Sequence, residues 1–162
     1  MSLTRPWQLV GKHVVLFTGS RSLRNYWQFA RDVRKALEHR SPKDTVLLQG
    51  ESYFGIDRLA RIFAKRNGWT CVGWKADWDN LGKRAGMVRN SQMVQHSDET
   101  IAGWDGESRG TKHAIDQSKT KGLPIQILEY ENVEEWEDRN IRDLARRQRL
   151  GDRARSKLTI KG

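Results

Sequence analysis

The stretch "HVVLFTGSRSLRNYWQFARDVRKALEH", residues 13–39, decides the fold class because its periodicity changes at a glycine. Its first part is a short β-branched and apolar run that ends at Gly19, as is typical of a buried strand. From Leu23 to Leu37, apolar residues recur at helical spacing. The stretch therefore predicts a strand, a turn and a helix.

The same alternation continues along the chain. "DTVLLQG" (44–50) predicts a second strand, and "IDRLARIFAKRNG" (56–68) a helix that ends at a glycine, as helices commonly do. Further strands are predicted at "WTCVGWKA" (69–76), "ETIAGW" (99–104) and "LPIQILEY" (123–130), and further helices at "RAGMVRNSQMVQHS" (84–97) and "TKHAIDQSKTKG" (111–122). This order predicts an α/β fold, a Rossmann-like three-layer sandwich with a mostly parallel five-stranded sheet. Apolar residues at helical spacing in "VEEWEDRNIRDLARRQRL" (133–150) add a C-terminal helix.

Composition limits the class of protein. With 162 residues, 36% of them hydrophobic, the chain can form one domain with a real core. Its single cysteine, Cys71, excludes an intrachain disulfide and a cysteine-rich metal site. No apolar run is long enough to span a bilayer, and the N-terminus lacks a signal-peptide core. We expect a cytoplasmic protein without membrane contact, with a nucleotide-binding domain over 1–150 and a basic, flexible tail over 151–162.

The net charge of +10 is concentrated at the C-terminus. Residues 139–162 carry nine basic and two acidic side chains, so they contribute seven of the ten charges. Such a segment can bind phosphate backbones weakly and without reading sequence. A solvated helix end explains the same composition.

Three glycine-containing turns follow predicted strands: "TGSRS" (18–22), "GESYFGID" (50–57) and "DGESRGT" (105–111). In an open α/β sheet, ligands bind outside the carboxyl ends of the strands, and free backbone N–H groups at helix starts favour anions. The turns therefore predict a phosphate site, although a serine or threonine there also serves as a plain N-cap. The candidate ligand contacts are Gly19, Ser20, Arg21, Gly50, Gly55, Gly106, Ser108, Arg109, Gly110 and Thr111. A lysine P-loop and a GxGxxG turn are both missing, which argues against a nucleoside triphosphatase or a Rossmann dehydrogenase.

"VLFTGSR" (15–21), "LLQGESYFGIDRLA" (47–60), "KADWDNLGKRAGMVRNSQMV" (75–94) and "IAGWDGESRGTKHAID" (101–116) together resemble the SLOG superfamily. This superfamily includes the DNA-processing protein DprA and the LOG-type phosphoribohydrolases. The chain is similar in particular to the small YspA-like members found in bacteria and phages. The resemblance covers roughly residues 13–128, and it implies a Rossmann-like fold that binds nucleotides or nucleotide-derived ligands.

The LOG enzymes match this chain in part. Their helix motif corresponds to Arg89, Met93 and Asp98, and their glycine-rich turn is similar to "WDGESRGT" (104–111) after an insertion of two residues. The position of their catalytic glutamate is Ala114 here, which puts N-glycosidic hydrolysis by that mechanism in doubt. Candidates for a catalytic role are Arg89, Asp116 and Glu107, and Asp77 or Asp79 are further substitutes for the missing acid.

Several other residues have both a functional and a structural interpretation. The resemblance implies that Arg89 and Asn90 bind ribose or phosphate. The alternative is that they form an ordinary exposed helix face. Asp57 suits a ribose contact or a helix start. Asp77 and Asp79 suit sugar hydroxyls or a cation, or are loop residues. His113 suits general acid–base catalysis, or is a helix residue without an identified partner. Among seven tryptophans, at most one is expected to stack on a base, with Trp78 and Trp104 preferred over Trp74.

These observations predict a protein that binds a phosphate-bearing nucleotide or nucleotide-derived ligand, with possible hydrolysis of its N-glycosidic bond. Two alternatives remain open: a non-catalytic sensor or sponge for a nucleotide messenger, and a DprA-like accessory protein that binds DNA through its basic tail. We expect a homo-oligomer, no bound metal and no cofactor other than the nucleotide-type ligand.

Overall fold

The computed structural model describes residues 6–130 and 160–161. The strands are β1 (His13–Gly19), β2 (Thr45–Gln49), β3 (Thr70–Lys75), β4 (Glu99–Trp104), β5 (Ile125–Glu129) and β6 (Ile160–Lys161). The helices are α1 (Tyr26–Ala36), α2 (Ile56–Asn67), α3 (Trp78–Leu81), α4 (Ala85–Gln95) and α5 (Arg109–Lys121). Short 3-10 turns lie at Trp7–Leu9 and Gly82–Arg84.

All strand pairs are parallel, and the order across the sheet is β5-β4-β1-β2-β3-β6. The chain starts at the central strand β1, moves outward to β2 and β3, and then returns to β4 on the other side of β1. The strand order therefore reverses between β1 and β4. In open α/β sheets, this reversal opens a crevice at the carboxyl ends of the two strands.

Two apolar layers cover the sheet. One face packs against α1 and α2, where Phe17, Phe29 and Phe63 are fully buried and meet as tilted and edge-to-face rings. The other face carries Val14, Leu16 and the β2 and β3 residues that pack on Met93 and Val94 of α4. Because β1 and β2 are buried on both faces, their sequences are almost continuously apolar.

The five-stranded, Rossmann-like prediction is confirmed, and the sheet is entirely parallel. The two-residue strand β6 extends it by pairing with Trp74 and Lys75 of β3. Neither β6 nor the short helix α3, which lies in a polar stretch, was predicted. The C-terminal helix predicted over 133–150 lies outside the described residues, and the domain boundary at residue 150 stays a prediction. No helix in the described ranges has the length and apolar character needed to cross a membrane.

Candidate functional site

A cleft of about 1370 Å³ lies at the carboxyl ends of β1, β2, β3 and β4, at the reversal of strand order. We call it the strand-end cleft. Its walls come from the turns after these four strands and from parts of α2, α3, α4 and α5. It is lined by Thr18, Gly19, Arg21, Ser22, Gly50, Glu51, Ser52, Tyr53, Phe54, Asp57, Arg61, Lys75, Ala76, Asp77, Trp78, Asp79, Asn80, Arg89, Asn90, Met93, Asp105, Ser108, Gly110 and Thr111.

The turns after β1, β2 and β4 are packed directly against one another. Gly55 has φ +75°, and a Cβ there would collide with the backbone of Ser20 and Arg21. The hydroxyl of Ser20 accepts a hydrogen bond from the amide of Asp105 at 3.1 Å. The three turns predicted from separate parts of the sequence therefore meet at one place, as the position of parallel strand ends requires.

Arg89 projects from α4 onto the turn after β2. Its Nη1 donates to the carbonyl oxygen of Gly50 at 2.7 Å, and its Nε donates to Oδ1 of Asn90 at 3.3 Å. A Cβ at position 50 would lie 3.0 Å from the guanidinium carbon, so a glycine there leaves room for the arginine. Burial lowers the pKa of Arg89, the nearby charges of Asp57 and Glu51 oppose this change, and the charge of Arg21 adds to it.

Asp57 and Arg61 hold the turn between β2 and α2. Oδ2 of Asp57 accepts from the amide of Ser52 at 3.1 Å, and the buried Arg61 donates to Oε1 of Gln49 at 3.0 Å and to the Ser52 carbonyl at 2.6 Å. Burial raises the pKa of the Asp57 carboxyl, against the opposing effects of the Ser52 hydrogen bond and of Arg61. Both side chains therefore form hydrogen bonds with the backbone of this turn, and both also line the cleft.

The turn after β4 is organised around Asp105. Its Oδ1 accepts from the amides of Glu107 and Ser108, both at 2.9 Å, and its Oδ2 accepts from the Ser22 hydroxyl at 3.1 Å. Desolvation raises the pKa of Asp105, but these hydrogen bonds together outweigh it, and the net result is a lowered pKa. The free amides expected in this turn are therefore partly occupied by the protein's own carboxylate.

The start of α5 is joined directly to α4 in the wall of the cleft. Ser108 is the N-cap of α5, and its Oγ lies 3.0 Å from Oγ1 of the buried Thr111. Nδ2 of Asn90, which is also buried, donates to the carbonyl oxygen of Gly110 at 3.2 Å. Serine and threonine here act as caps and links between elements, and they also form part of the cleft wall.

Three aromatic side chains at the cleft are exposed to solvent. Tyr53 is 57% exposed, Phe54 46% and Trp78 56%, although side chains of this size are usually buried. The guanidinium carbon of Arg24 lies 5.6 Å from the centre of the Phe54 ring. Exposed aromatic faces beside cationic groups are suited to stacking on nucleobases.

The charges of the cleft are mixed. Its four cationic side chains are Arg21, Arg61, Lys75 and Arg89, and its five carboxylates are Glu51, Asp57, Asp77, Asp79 and Asp105. Asp77 is the N-cap of α3 and accepts from the amide of Asn80 at 3.3 Å. Among the described residues, no group of three or more potential metal ligands forms. This mixture suits a ligand that carries both anionic groups and hydroxyl donors.

Most residues predicted for the ligand site lie in the cleft wall. They are Gly19, Arg21, Gly50, Asp57, Arg89, Asn90, Ser108, Gly110, Thr111 and Trp78. Ser20, Gly55, Gly106 and Arg109 are not in the wall. Ser20 and Gly55 shape the turns from behind, Gly106 provides a backbone position with φ +85°, and Arg109 is exposed at the start of α5.

The weaker candidates lie elsewhere. Asp116 is exposed on α5 and pairs with Lys112 at 2.8 Å, and Glu107 is exposed outside the cleft wall. Asp98 accepts from the amide of Val14 at the opposite end of the sheet. The remaining three, His113, Ala114 and Trp104, are also absent from the cleft wall.

Trp74 and Trp104 are held within the protein. Nε1 of Trp74 donates to Gln92 at 3.2 Å, and the ring stacks on His96. Nε1 of Trp104 donates to the Ser108 carbonyl at 3.1 Å. Trp78 is therefore the tryptophan available for stacking in the cleft wall.

Sequence reasoning missed Tyr53, Phe54, Glu51 and Asp105 as parts of the cleft. The aromatic pair "YF" inside a glycine-bounded turn was a usable signal, because a turn at the surface cannot bury two large rings. Asp105 also had a sequence signal, because an aspartate at the start of a turn commonly accepts hydrogen bonds from the backbone amides two and three residues later. Glu51 has φ +62°, which is uncommon for a residue with a side chain and has no sequence signature here.

Comparison with known families gives a match over residues 13–80 to the model of the "YspA, cpYpsA-related SLOG family". The Gene 61 protein of Mycobacterium phage D29 is 34% identical over 120 residues, which cover 68% of this chain and 92% of the phage protein. The stretch that matches the family model, residues 13–80, contains β1, β2 and β3 together with the turns that follow them in the cleft wall.

Solved structures with the same fold include two DNA processing proteins. DprA from Streptococcus pneumoniae has a TM-score of 0.61 and 14% identity over 96% of this chain, which spans 60% of that protein. DNA processing protein A from Helicobacter pylori, described with a single-stranded DNA binding mode, has a TM-score of 0.58 and 14% identity, over 91% of this chain and 85% of that one. A molybdenum cofactor binding protein from Rippkaea orientalis has a TM-score of 0.52 and 19% identity, over 94% and 90%. At these identities, the likeness establishes the fold.

Proposed function

Because the chain belongs to the YspA- and cpYpsA-related SLOG family, we propose that its strand-end cleft binds a phosphate-bearing nucleotide or a nucleotide-derived ligand. The structural neighbours support a ligand role for this fold, since one of them binds single-stranded DNA and another binds a molybdenum cofactor. Because proteins with the same fold bind different ligands, we infer the ligand of this chain from the side chains of its own cleft.

The observation that carries the proposal is the placement of Arg89. One arm of its guanidinium is fixed on the Gly50 carbonyl at 2.7 Å, and its Nη2 has no hydrogen-bond partner within the described part of the chain. Arg21 lines the same cleft, and neither arginine forms a salt bridge with a described residue. Two guanidinium groups in the wall of one cleft favour an anionic ligand, and a guanidinium suits phosphate oxygens.

The other groups of the cleft fit the remaining parts of a nucleotide. Trp78 offers an exposed ring face for a base. Asp79 and Glu51 are carboxylates in the cleft wall, and carboxylate oxygens accept hydrogen bonds from ribose hydroxyls. Apolar ring faces, cations and hydrogen-bond acceptors therefore all border the same space.

The cleft favours binding over hydrolysis of the N-glycosidic bond. Ala114, at the position of the LOG catalytic glutamate, is fully buried on α5 and carries no acid. Of the acids considered as substitutes, Asp116 and Glu107 lie outside the cleft wall. Asp77 is engaged by the backbone amide of Asn80, as Asp57 and Asp105 are by other amides, and Asp79 is assigned above to ribose. A sensor or sponge for a nucleotide messenger is therefore the form of the proposal that we prefer.

The test is incubation of the full chain with a nucleotide library, followed by mass spectrometry of bound and product species. We expect one class of nucleotide to be retained by the protein and recovered intact. Release of a free base would assign hydrolysis in place of storage or sensing. Retention of no nucleotide at all would contradict the proposal.

Binding of single-stranded DNA is the second candidate function. It is favoured by the exposed ring faces of Tyr53, Phe54 and Trp78 beside arginines, an arrangement that also suits the bases of a single strand. The basic residues of 139–162 would add contacts to the phosphate backbone. DNA binding would depend on the positive charges of this segment, whereas nucleotide binding in the cleft would not. A variant in which these charges are neutralised separates the two functions.

A further inference from the structure

One aromatic wall of the strand-end cleft is Trp78, and it stands next to Arg89. A Cβ at Gly86 would lie 3.5 Å from Cη2 of Trp78 and 3.9 Å from Nη2 of Arg89, so both side chains border the same point on α4. The glycine leaves the indole and the guanidinium close together. A base stacked on Trp78 would therefore place its phosphate within reach of Arg89.

A second aromatic wall is formed by Tyr53 and Phe54, in the turn between β2 and α2. This turn is packed through Gly55 onto the backbone of Ser20 and Arg21. The ring of Phe54 lies under the guanidinium of Arg24, and both aromatic residues stay exposed. The second wall thus stands beside Arg21, as the first stands beside Arg89.

Arg89 connects the two walls. It stands beside Trp78, and its Nη1 donates to the carbonyl oxygen of Gly50, in the same turn that carries Tyr53 and Phe54. Arg21 lies against the other end of that turn, at Gly55, so both arginines border the space that the two walls face. The cleft volume of about 1370 Å³ also exceeds the roughly 300–1,000 Å³ that is usual for sites of drug-sized ligands.

We propose that the ligand is a dinucleotide: two nucleobases, one on each aromatic wall, joined by a phosphate linkage that lies against Arg21 and Arg89. This inference rests on the proposed function and specifies its ligand class. A mononucleotide would cover one wall and leave the other exposed. Free dinucleotides and two adjacent residues of a DNA strand share this chemistry. We infer the free ligand because, among the described residues, aromatic side chains line the cleft at two places only, the turn after β2 and the start of α3.

The test compares affinities by calorimetry for three groups of probes. They are the four ribonucleoside 5′-monophosphates, the 5′-phosphorylated dinucleotides of the same bases together with NAD⁺, and single-stranded oligonucleotides of increasing length. Each is measured on the full chain and on the variants Trp78→Ala and Phe54→Ala. Trp27→Ala is the matched control, because Trp27 is 55% exposed on α1 and does not line the cleft.

We expect a dinucleotide to bind at least ten-fold more tightly than any mononucleotide. Either aromatic substitution should weaken dinucleotide binding by about 5- to 150-fold, the range that corresponds to one lost base stack. Mononucleotide binding should respond to one of the two substitutions and not to the other. Trp27→Ala should change neither affinity, and unchanged melting temperatures would show that the variants are folded.

Four results would overturn the inference. If mononucleotides bind as tightly as dinucleotides, or Phe54→Ala and Trp78→Ala leave dinucleotide affinity unchanged, the two-wall arrangement has no role in recognition while the proposed nucleotide site survives. If affinity keeps rising with oligonucleotide length beyond two residues, the ligand is a strand. If no probe of any group binds, the proposed function fails as well.

Discussion

Arg89 is the residue on which the nucleotide site depends most. Its spacing from Met93 suggested a functional arginine, but the sequence could not show that Gly50 would accept one arm of its guanidinium. That contact needs a strand end and a helix that are far apart in sequence, and only the folded sheet brings them together. The result is a cation oriented before any ligand arrives, which reduces the entropy cost of binding.

Replacing Arg89 should weaken nucleotide binding without unfolding the protein. Arg89→Met should cost about 1–3 kcal/mol of binding free energy, the range for a lost charge-assisted contact, because the variant keeps a side chain of similar length. Arg31→Met, at an exposed position on α1, removes the same charge away from the cleft and should leave affinity nearly unchanged. Calorimetry and thermal melting measure both effects. A large drop in melting temperature with unchanged affinity would make Arg89 structural.

Asp105 should make the stability of the fold depend on pH. Its folded pKa is lowered by the hydrogen bonds that it accepts, so its contribution is present above the unfolded pKa of 3.8 and is lost as pH falls through the folded value. At pH 7, Asp105→Ala should lower the free energy of unfolding by about 1–2 kcal/mol. The difference from the parent protein should shrink below about pH 4.

Asp105→Asn is the control for this prediction. It retains an oxygen that can accept from the amides of Glu107 and Ser108, so it should lie closer to the parent at neutral pH and vary less in the acidic range. Urea unfolding at several pH values gives the comparison. Equal destabilisation by Asp105→Ala at pH 7 and at pH 3 would show that the charge of Asp105 has no part in holding the turn.

At the scale of elements, the strands and long helices could be read from sequence, and the short pieces could not. β1 and β2 are apolar over nearly their whole length because both faces are covered, and α1 and α2 show helical spacing because one face of each packs on the sheet. The helix α3 has four residues and none of them is buried, so it has no apolar periodicity to detect. β6 depends on pairing with a distant strand edge, which no local pattern encodes.

The convergence of the turns was predictable from the strand order, but the way in which they touch was not. Gly55 was predicted as a ligand contact, and in the structure it lets the turn after β2 lie on the backbone of Ser20 and Arg21. Likewise, Gly19 makes room for the side chain of Ile56 at the start of α2. These glycines shape the cleft because they allow neighbouring elements to pack closely. From the sequence alone, a glycine with this role cannot be told from one that contacts a ligand.

Gly55→Ala should therefore damage the fold more than an ordinary glycine substitution. Gly82→Ala is the matched control, because its φ of +56° and ψ of −132° are close to the +75° and −149° of Gly55, while a Cβ there meets no atom within 4 Å. We expect backbone strain to lower the free energy of unfolding by about 1–3 kcal/mol in both variants, and the collision with Ser20 and Arg21 to add about 1–3 kcal/mol in Gly55→Ala alone. Urea denaturation measures both. Equal losses would mean that the turns can separate without cost.

At the scale of the whole molecule, the nucleotide and DNA hypotheses make different predictions for the basic residues near the C-terminus. Arg153, Arg155 and Lys157 can be replaced by glutamine in the full chain, which leaves the β6 residues Ile160–Lys161 unchanged. Nucleotide affinity should be unaffected, because the cleft lies in residues 18–111. Any DNA binding should weaken, and its slope of log K against log salt should fall by up to about 2 for a single strand, about 0.7 for each lost phosphate contact.

Tight DNA binding that survives this triple substitution would reverse the order of the two hypotheses. It would place the strand in the cleft itself, on the exposed aromatic walls. The homo-oligomer and the cytoplasmic location expected from the sequence stay predictions, and the first can be measured on the same samples by light scattering.

The most direct test of the central claim is the location of the bound nucleotide. The ¹⁵N-labelled full chain is titrated with AMP to millimolar concentration, and the shifts of its backbone amides are followed by NMR. We predict that the amides of Gly50, Arg89 and Thr111, all in the cleft, move together along one binding curve. Those of Asp98, at the opposite end of the sheet, and of Asp116, on the outer side of α5, should stay in place. Shifts confined to residues outside the cleft, or no shifts at all, would contradict the account.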